Sequence, residues 1–328
     1  MSINNISFND FTKLIKSRDK VNVNGIIYEY VDQGGQGLVY KNISSDTILK
    51  LFKQKLNKSI VNELVFMKMC KYALDKKYTP NLIEYYEDKY LDMNVIISME
   101  RLDNTLEEWS KMYKNTNEWI SMLFQLIQVT FTMNNMLFIK HNDMKPKNIM
   151  YKKLDKPVIY KYTINNKSYY VPVLYLFKVI DFGHSQYDPN KIATSIPKDL
   201  EQIFILHKRE IVNKLINNMD FDKLKQMASK SSEFTKYYEN ESKYLIKTFN
   251  NHPKNVKDKM FKKAVAYFII EHNLIDISKY SNIVPHKIIL NALTRFQKMN
   301  FTELLNDELF SNYMNEIKYD KEFTVSTK

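Results

Sequence analysis

The stretch that most constrains this chain is His141-Asn142-Asp143-Met144-Lys145-Pro146-Lys147-Asn148-Ile149-Met150. It sets an Asp, a Lys and an Asn at fixed offsets in a short loop between a long amphipathic stretch and a strand-like one. Asp143 can take a hydroxyl proton, Lys145 can neutralise a transferring phosphoryl group, and Asn148 can offer its amide oxygen to Mg²⁺. Downstream lies Val179-Ile180-Asp181-Phe182-Gly183. Asp181 is a second hard-oxygen ligand, and Gly183 lets the backbone turn sharply.

In this order the two stretches resemble the catalytic loop and the Asp-Phe-Gly motif of eukaryotic-type protein kinases. The resemblance implies an α+β, bilobal protein-kinase-like fold, with a small β-rich N-lobe and a larger helical C-lobe. It places an N-terminal extension at 1–20, the ATP-binding lobe at 21–102 and the catalytic lobe at 103–328.

Upstream parts answer the same pattern. Val21 to Val31 alternates apolar and polar residues as one strand would. Then comes Val31-Asp32-Gln33-Gly34-Gly35-Gln36-Gly37-Leu38-Val39, with three of the chain's five Gly residues in four positions. Such a hairpin lets backbone N–H groups approach phosphates. Gly34, Gly37 and Val39 match the glycine-rich loop of the family, while Asp32 replaces its first Gly. Lys50 sits in the apolar strand Thr47–Phe52, which is costly unless its charge is paired. It aligns with the ATP-positioning Lys, and Glu63, on the helix starting near Ser59, is the expected partner. The strand Asn94–Met99 runs into Glu100-Arg101-Leu102-Asp103, which looks like the inter-lobe hinge. By that match Met99 backs the adenine pocket, and the main chain at Glu100 and Leu102 bonds the base.

Helical spacing of Ile120, Leu123, Leu126, Ile127 and Phe131 gives a long helix, capped by Asn117, that delivers the catalytic loop. Asp181 follows Asp143 by 38 positions, more than the family usually shows. The extra length, about 151–177, holds two alternating runs around Asn165-Asn166-Lys167 and reads as a β-hairpin packed on its own lobe or offering its Tyr residues for docking. Insertions of this kind resemble those of protein kinases of large DNA viruses. After Gly183 the segment is short and no Ala-Pro-Glu follows. Asp199–Phe204 reads as the start of a core helix. Asn142 stands where most family members have the Arg that receives an activation-loop phosphate, so activity independent of phosphorylation there is implied.

From Asp199 onward the pattern is helical, with apolar faces at Val256, Met260, Ala264, Tyr267, Phe268 and at Ile288, Ile289, Ala292, Leu293, Phe296. Lys318–Lys328 reads as a frayed tail. The single Cys excludes an internal disulfide, and Cys70 reads as a buried apolar residue. No apolar run reaches the about 20 residues of a membrane span, so an intracellular, cytoplasmic protein is expected. The net charge of +12 is nearly all Lys, spread along the chain, and implies no specific nucleic-acid site.

The implied reaction is Mg²⁺-assisted phosphoryl transfer from ATP to protein Ser/Thr hydroxyls. ATP phosphates lie under residues 31–39 and against Lys50 held by Glu63. Asn148 and Asp181 hold the metal, Asp143 takes the proton, and Lys145 neutralises charge. Lys145 resembles Ser/Thr-directed members. Small-molecule kinases of the aminoglycoside and choline type also lack Ala-Pro-Glu but usually lack that Lys. A pseudokinase scaffold is the third class; intact Lys50, Asp143, Asn148 and Asp181 weigh against it.

Overall fold

A computed structural model describes residues 3–33, 37–112, 115–189, 212–213, 215–272, 274, 295–296 and 299–326. The chain divides into two compact units, one of 1–109, 120–200 and 299–328, the other of 110–119 and 201–298.

In the first unit, helix α1 (Phe8–Lys16) starts at a capping box in which Ser7 and Asp10 satisfy each other's backbone N–H. The stretch Val21–Val31 is two strands rather than one, β1 (Lys20–Val23) and β2 (Ile26–Gln33). Asn24 and Gly25 between them both take positive φ, 53° and 83°, as a tight hairpin turn requires. β3 (Gly37–Asn42), β4 (Thr47–Phe52), β5 (Tyr85–Leu91) and β6 (Asn94–Glu100) complete an antiparallel sheet in the order β1-β2-β3-β4-β6-β5. Leu38, Tyr40, Leu49, Leu51 and Ile96 form a core with Phe11 and Leu14 of α1 and with Ile3 and Ile6. Tyr40 Oη donates to Leu14 O at 2.6 Å. The N-terminal residues are thus part of the core.

Helix α2 (Lys58–Asp75) is capped by Asn57, whose side chain accepts from the Ser59 and Ile60 N–H groups. Cys70 is fully buried on it. β7 (Asn104–Thr105) and α3 (Leu106–Lys111) lead to α4 (Thr116–Asn135). Asn115, not Asn117, caps α4: its Oδ1 accepts the Glu118 N–H at 2.9 Å. From Ser121 to Asn134 every residue of α4 is buried. Its buried Ser121 and Gln125 are hydrogen-bonded. Gln125 Nε2 donates to Tyr175 O at 3.0 Å, and its Oε1 accepts the Phe177 N–H at 3.0 Å. Ser121 Oγ donates to Pro172 O at 2.8 Å. No described helix is long and apolar enough to cross a membrane.

After β8 (Ile139–Lys140) and the loop 141–148 comes one long hairpin, β9 (Ile149–Ile164) and β10 (Lys167–Val179), paired from Ile149↔Val179 to Ile164↔Lys167. The insertion therefore prolongs the strands on either side of it. Its turn is Asn165-Asn166 alone, both at positive φ, with Lys167 already in β10. Its Tyr residues are core, not a docking surface. Tyr160, Tyr162, Tyr169 and Tyr170 are at most 6% exposed. The Phe124 ring lies 5.4 Å from Tyr162, 5.1 Å from Tyr169 and 5.3 Å from Phe310. The segment read as a frayed tail is a strand, β12 (Lys321–Val325), parallel to β9 in the register Lys321↔Tyr160 to Val325↔Ile164. The short β11 (Gln186–Tyr187) pairs with β8, and α8 (Phe301–Leu305) precedes β12.

The second unit contains α5 (Phe221–Ala228), α6 (Phe234–Thr248) and α7 (Lys254–Glu271). Leu224, Phe234, Val265, Phe268 and Ile269 share its core. Of the predicted face Phe268 is buried and the half-buried Tyr267 packs against the core, Val256, Met260 and Ala264 are half-buried, and Val265, Ala266, Ile269 and Ile270 complete the packed face. Phe296 is buried. Asp199–Phe204 and Ile288–Leu293 lie outside the described residues.

Candidate active site

β4 presents Lys50 on one sheet face while Leu49 and Leu51 enter the core on the other. The register sets Val39 and Ile97 beside Lys50, and Asp32 beside Val39. Met99, two residues on from Ile97, shares that face. Lys50 Nζ meets Glu63 Oε1 at 2.5 Å, with side-chain exposures of 16% and 3%. Burial pushes the Glu63 carboxyl above its ordinary range against the pull of Lys50, and the negative charge of Asp181 pushes the same way as burial. Glu63 Oε2 is buried with no hydrogen-bond partner among the described residues.

The glycine-rich stretch divides. Val31, Asp32 and Gln33 are exposed at the end of β2, and Gly34, Gly35 and Gln36 lie outside the described residues. Gly37 is needed for space rather than for an unusual φ. A Cβ there would stand 2.5 Å from Leu51 O across the β3–β4 pair. The Leu38 side chain is fully buried in the core around α1, opposite to Val39, and its main chain pairs with β2 and β4, so the side chain does not line the nucleotide face.

At the end of β6 the Glu100 N–H is taken by Glu84 O at 2.9 Å, whereas the buried Leu102 forms no main-chain N–H bond among the described residues. The Glu100 side chain turns to Lys178 on β10, Nζ to Oε1 2.5 Å, both side chains 7% exposed. Sequence reasoning passed over this pair. The signal was available: Lys178 sits in an apolar strand as Lys50 does.

The loop 141–148 is one hydrogen-bonded cluster. Asp143 Oδ2 accepts Lys145 Nζ at 2.7 Å and Asn148 Nδ2 at 2.9 Å. Asp143 O accepts the Lys145 N–H at 2.8 Å and Asn148 Nδ2 at 2.9 Å. With its amide nitrogen engaged twice, Asn148 is left with Oδ1 as its uncommitted atom. Asn148 O accepts the Ile180 N–H at 2.9 Å, so Asp181 starts one residue from the Asn148 main chain. Asp181 takes φ 64° and ψ 74°, an uncommon region for Asp, and no described residue donates to its carboxylate. Two uncommitted oxygens on adjoining segments suit a hard cation that keeps water and phosphate as its other ligands.

His141, buried and given no role from sequence, ties the two motifs together. Its Nε2 is 3.0 Å from Ile180 O, its Nδ1 accepts the Asp143 N–H at 3.3 Å, and its ring lies 5.0 Å from that of Phe182.

A solved structure similar to this chain is the crystal structure of PF14_0431, kinase domain: TM-score 0.51, 14% identity, 91% of this chain and 100% of that one covered. This chain has a protein-kinase-like fold. At that identity the likeness carries the fold alone. No family model and no curated protein matches the chain.

Proposed function

We propose that the protein transfers a phosphoryl group from ATP to Ser and Thr hydroxyls of protein substrates, with Mg²⁺ held by Asn148 and Asp181. The observation that carries this reading is the Asp143–Lys145–Asn148 cluster, joined through Ile180 to an Asp181 whose carboxylate is uncommitted. Lys50, clamped by Glu63, aligns the ATP phosphates. The Glu100 C=O and the Leu102 N–H hold the base, and Met99 backs it. The main chain of 31–39 covers the phosphates, with Val39 beside Lys50. Asp143 orients the acceptor hydroxyl and takes its proton late in the transfer, while Lys145 stays on the phosphoryl oxygens. The metal supplies charge neutralisation on the phosphates. Catalysis is positioning and electrostatics, since the transfer itself asks little covalent chemistry of the protein. Asn142 in place of the phosphate-receiving Arg supports activity without activation-loop phosphorylation, and phosphatase treatment is expected to leave turnover unchanged.

The test is incubation with radiolabelled ATP, Mg²⁺ and a basic generic protein, beside Asp143→Asn. Label on protein Ser or Thr that the variant lacks is the expected result. ATP consumption only with small metabolites overturns the protein-substrate reading. Nucleotide binding with neither activity overturns catalysis.

A further inference from the structure

Two side chains from different elements grip adjacent carbonyls just after Asp181. Ser59 Oγ, in the first turn of α2, donates to Gly183 O at 3.2 Å. Asn142 Nδ2, in the catalytic loop, donates to His184 O at 3.2 Å. Asn142 does so from φ 62°, a region Asn tolerates better than most residues. The next residues are held as well. β11 pairs with β8, Asp188 N–H donates to Phe138 O at 2.9 Å, and Lys140 Nζ meets Asp188 Oδ2 at 2.6 Å. Since nothing described donates to the Asp181 carboxylate, its direction is set by the main chain on either side. On one side that is Ile180, bonded to Asn148 O; on the other it is 182–184, bonded by Ser59 and Asn142.

We infer that Ser59 and Asn142 are positioning residues that fix Asp181 through the carbonyls of Gly183 and His184. Both donors are neutral side chains, so the clamp requires no added phosphate. This rests on the reading of Asp181 as a metal ligand and extends it to how that ligand is aimed. Ser59 and Glu63 lie on the same helix, so a shift of α2 releases Gly183 and the Lys50 pair together.

Three variants test it. Asn142→Asp keeps shape and backbone tolerance but puts an acceptor against His184 O. Ser59→Ala removes the donor, and Ser59→Thr keeps a hydroxyl. The readouts are the Mg²⁺ dependence of turnover and amide hydrogen exchange across 182–188. Loss of either donor is expected to raise half-saturating Mg²⁺ about fivefold and to speed exchange at the Ser185 and Asp188 N–H groups. The ATP KM at saturating metal is expected to hold, and Ser59→Thr to behave as the parent. Unchanged metal dependence and unchanged exchange in both Asn142→Asp and Ser59→Ala overturn the clamp. A parent protein with no turnover removes the kinase reading but not this test. Exchange then decides alone, faster in the variants if the clamp is real and unaltered if it is not.

Discussion

Lys178 and Glu100 form a buried ion pair that ties the end of β6 to the strand leading into Asp181, and the Glu84 N–H donates to the same carboxylate oxygen at 2.6 Å. A pair this buried repays its desolvation only while both partners remain. Lys178→Met is therefore expected to cost about 3–5 kcal/mol, because it strands the Glu100 charge. Adding Glu100→Met should recover most of that loss, short of about 1 kcal/mol for the Glu84 N–H left without its acceptor. Urea unfolding of the two single variants and the double checks this. A double variant as unstable as Lys178→Met would mean that the pair itself stabilises the fold.

Lys50→Met should abolish phosphoryl transfer and leave a folded protein with a changed pH response. Burial already holds the folded Glu63 pKa above its unfolded value. A raised carboxyl favours folding below the unfolded pKa and loses that contribution as pH rises through the folded one. Without Lys50 the folded value climbs further. The stability gap between parent and variant should be small in acid and widen toward neutral pH. Thermal unfolding across pH 4–8 measures it; a gap independent of pH would show that Glu63 does not titrate with folding.

Gly37→Ala should destabilise the sheet by about 1–3 kcal/mol, since its Cβ collides with the main chain at Leu51 O rather than with a yielding side chain. The β3–β4 pair must part, and Val39 and Lys50 share that pairing. Melting temperature and nucleotide affinity should fall together. A loss of affinity at constant stability would instead put Gly37 in direct contact with ligand.

Phe323→Ala should cost about 2 kcal/mol, as the half-buried ring lies 5.3 Å from Tyr160 and 5.6 Å from Tyr162. Hydrogen exchange along β9 should rise at 160–164, where β12 pairs, and not at 149–153. Uniform exchange along β9 would mean that the strand opens as a whole.

Local rules carried the strand Thr47–Phe52, the Lys50–Glu63 pair and the hairpin before Asp181. In each, a few neighbouring residues state the requirement: a Lys among apolar residues, or alternation around Asn-Asn. The Asn24-Gly25 turn was equally legible, but the alternation continued through it and hid the break. β12 was not legible, because Lys321–Val325 is charged and short and finds its partner 161 residues away, the separation of the Ile159–Asp320 hydrogen bond. The hairpin Tyr residues left packing and docking both open for a similar reason, and packing is what the fold shows. A Tyr reads as exposed until the Phe124 and Phe310 that cover it are brought near. Asn142 could be seen to lack an Arg's function, but its bond to His184 O needed the folded loop.

The parallel β12–β9 pairing also sets an order of events in synthesis. At about 5–20 residues per second, the loop bearing Asp143 and the strand leading into Asp181 emerge on the order of ten seconds before β12 exists to join them. For that interval one edge of β9 is bare at 160–164, and a bare edge is a template for pairing with other chains. The nascent chain is therefore most open to misassociation when the Asp143 and Asp181 segments are already made, and the strand that closes the gap carries only Lys321 and Glu322 as charged residues.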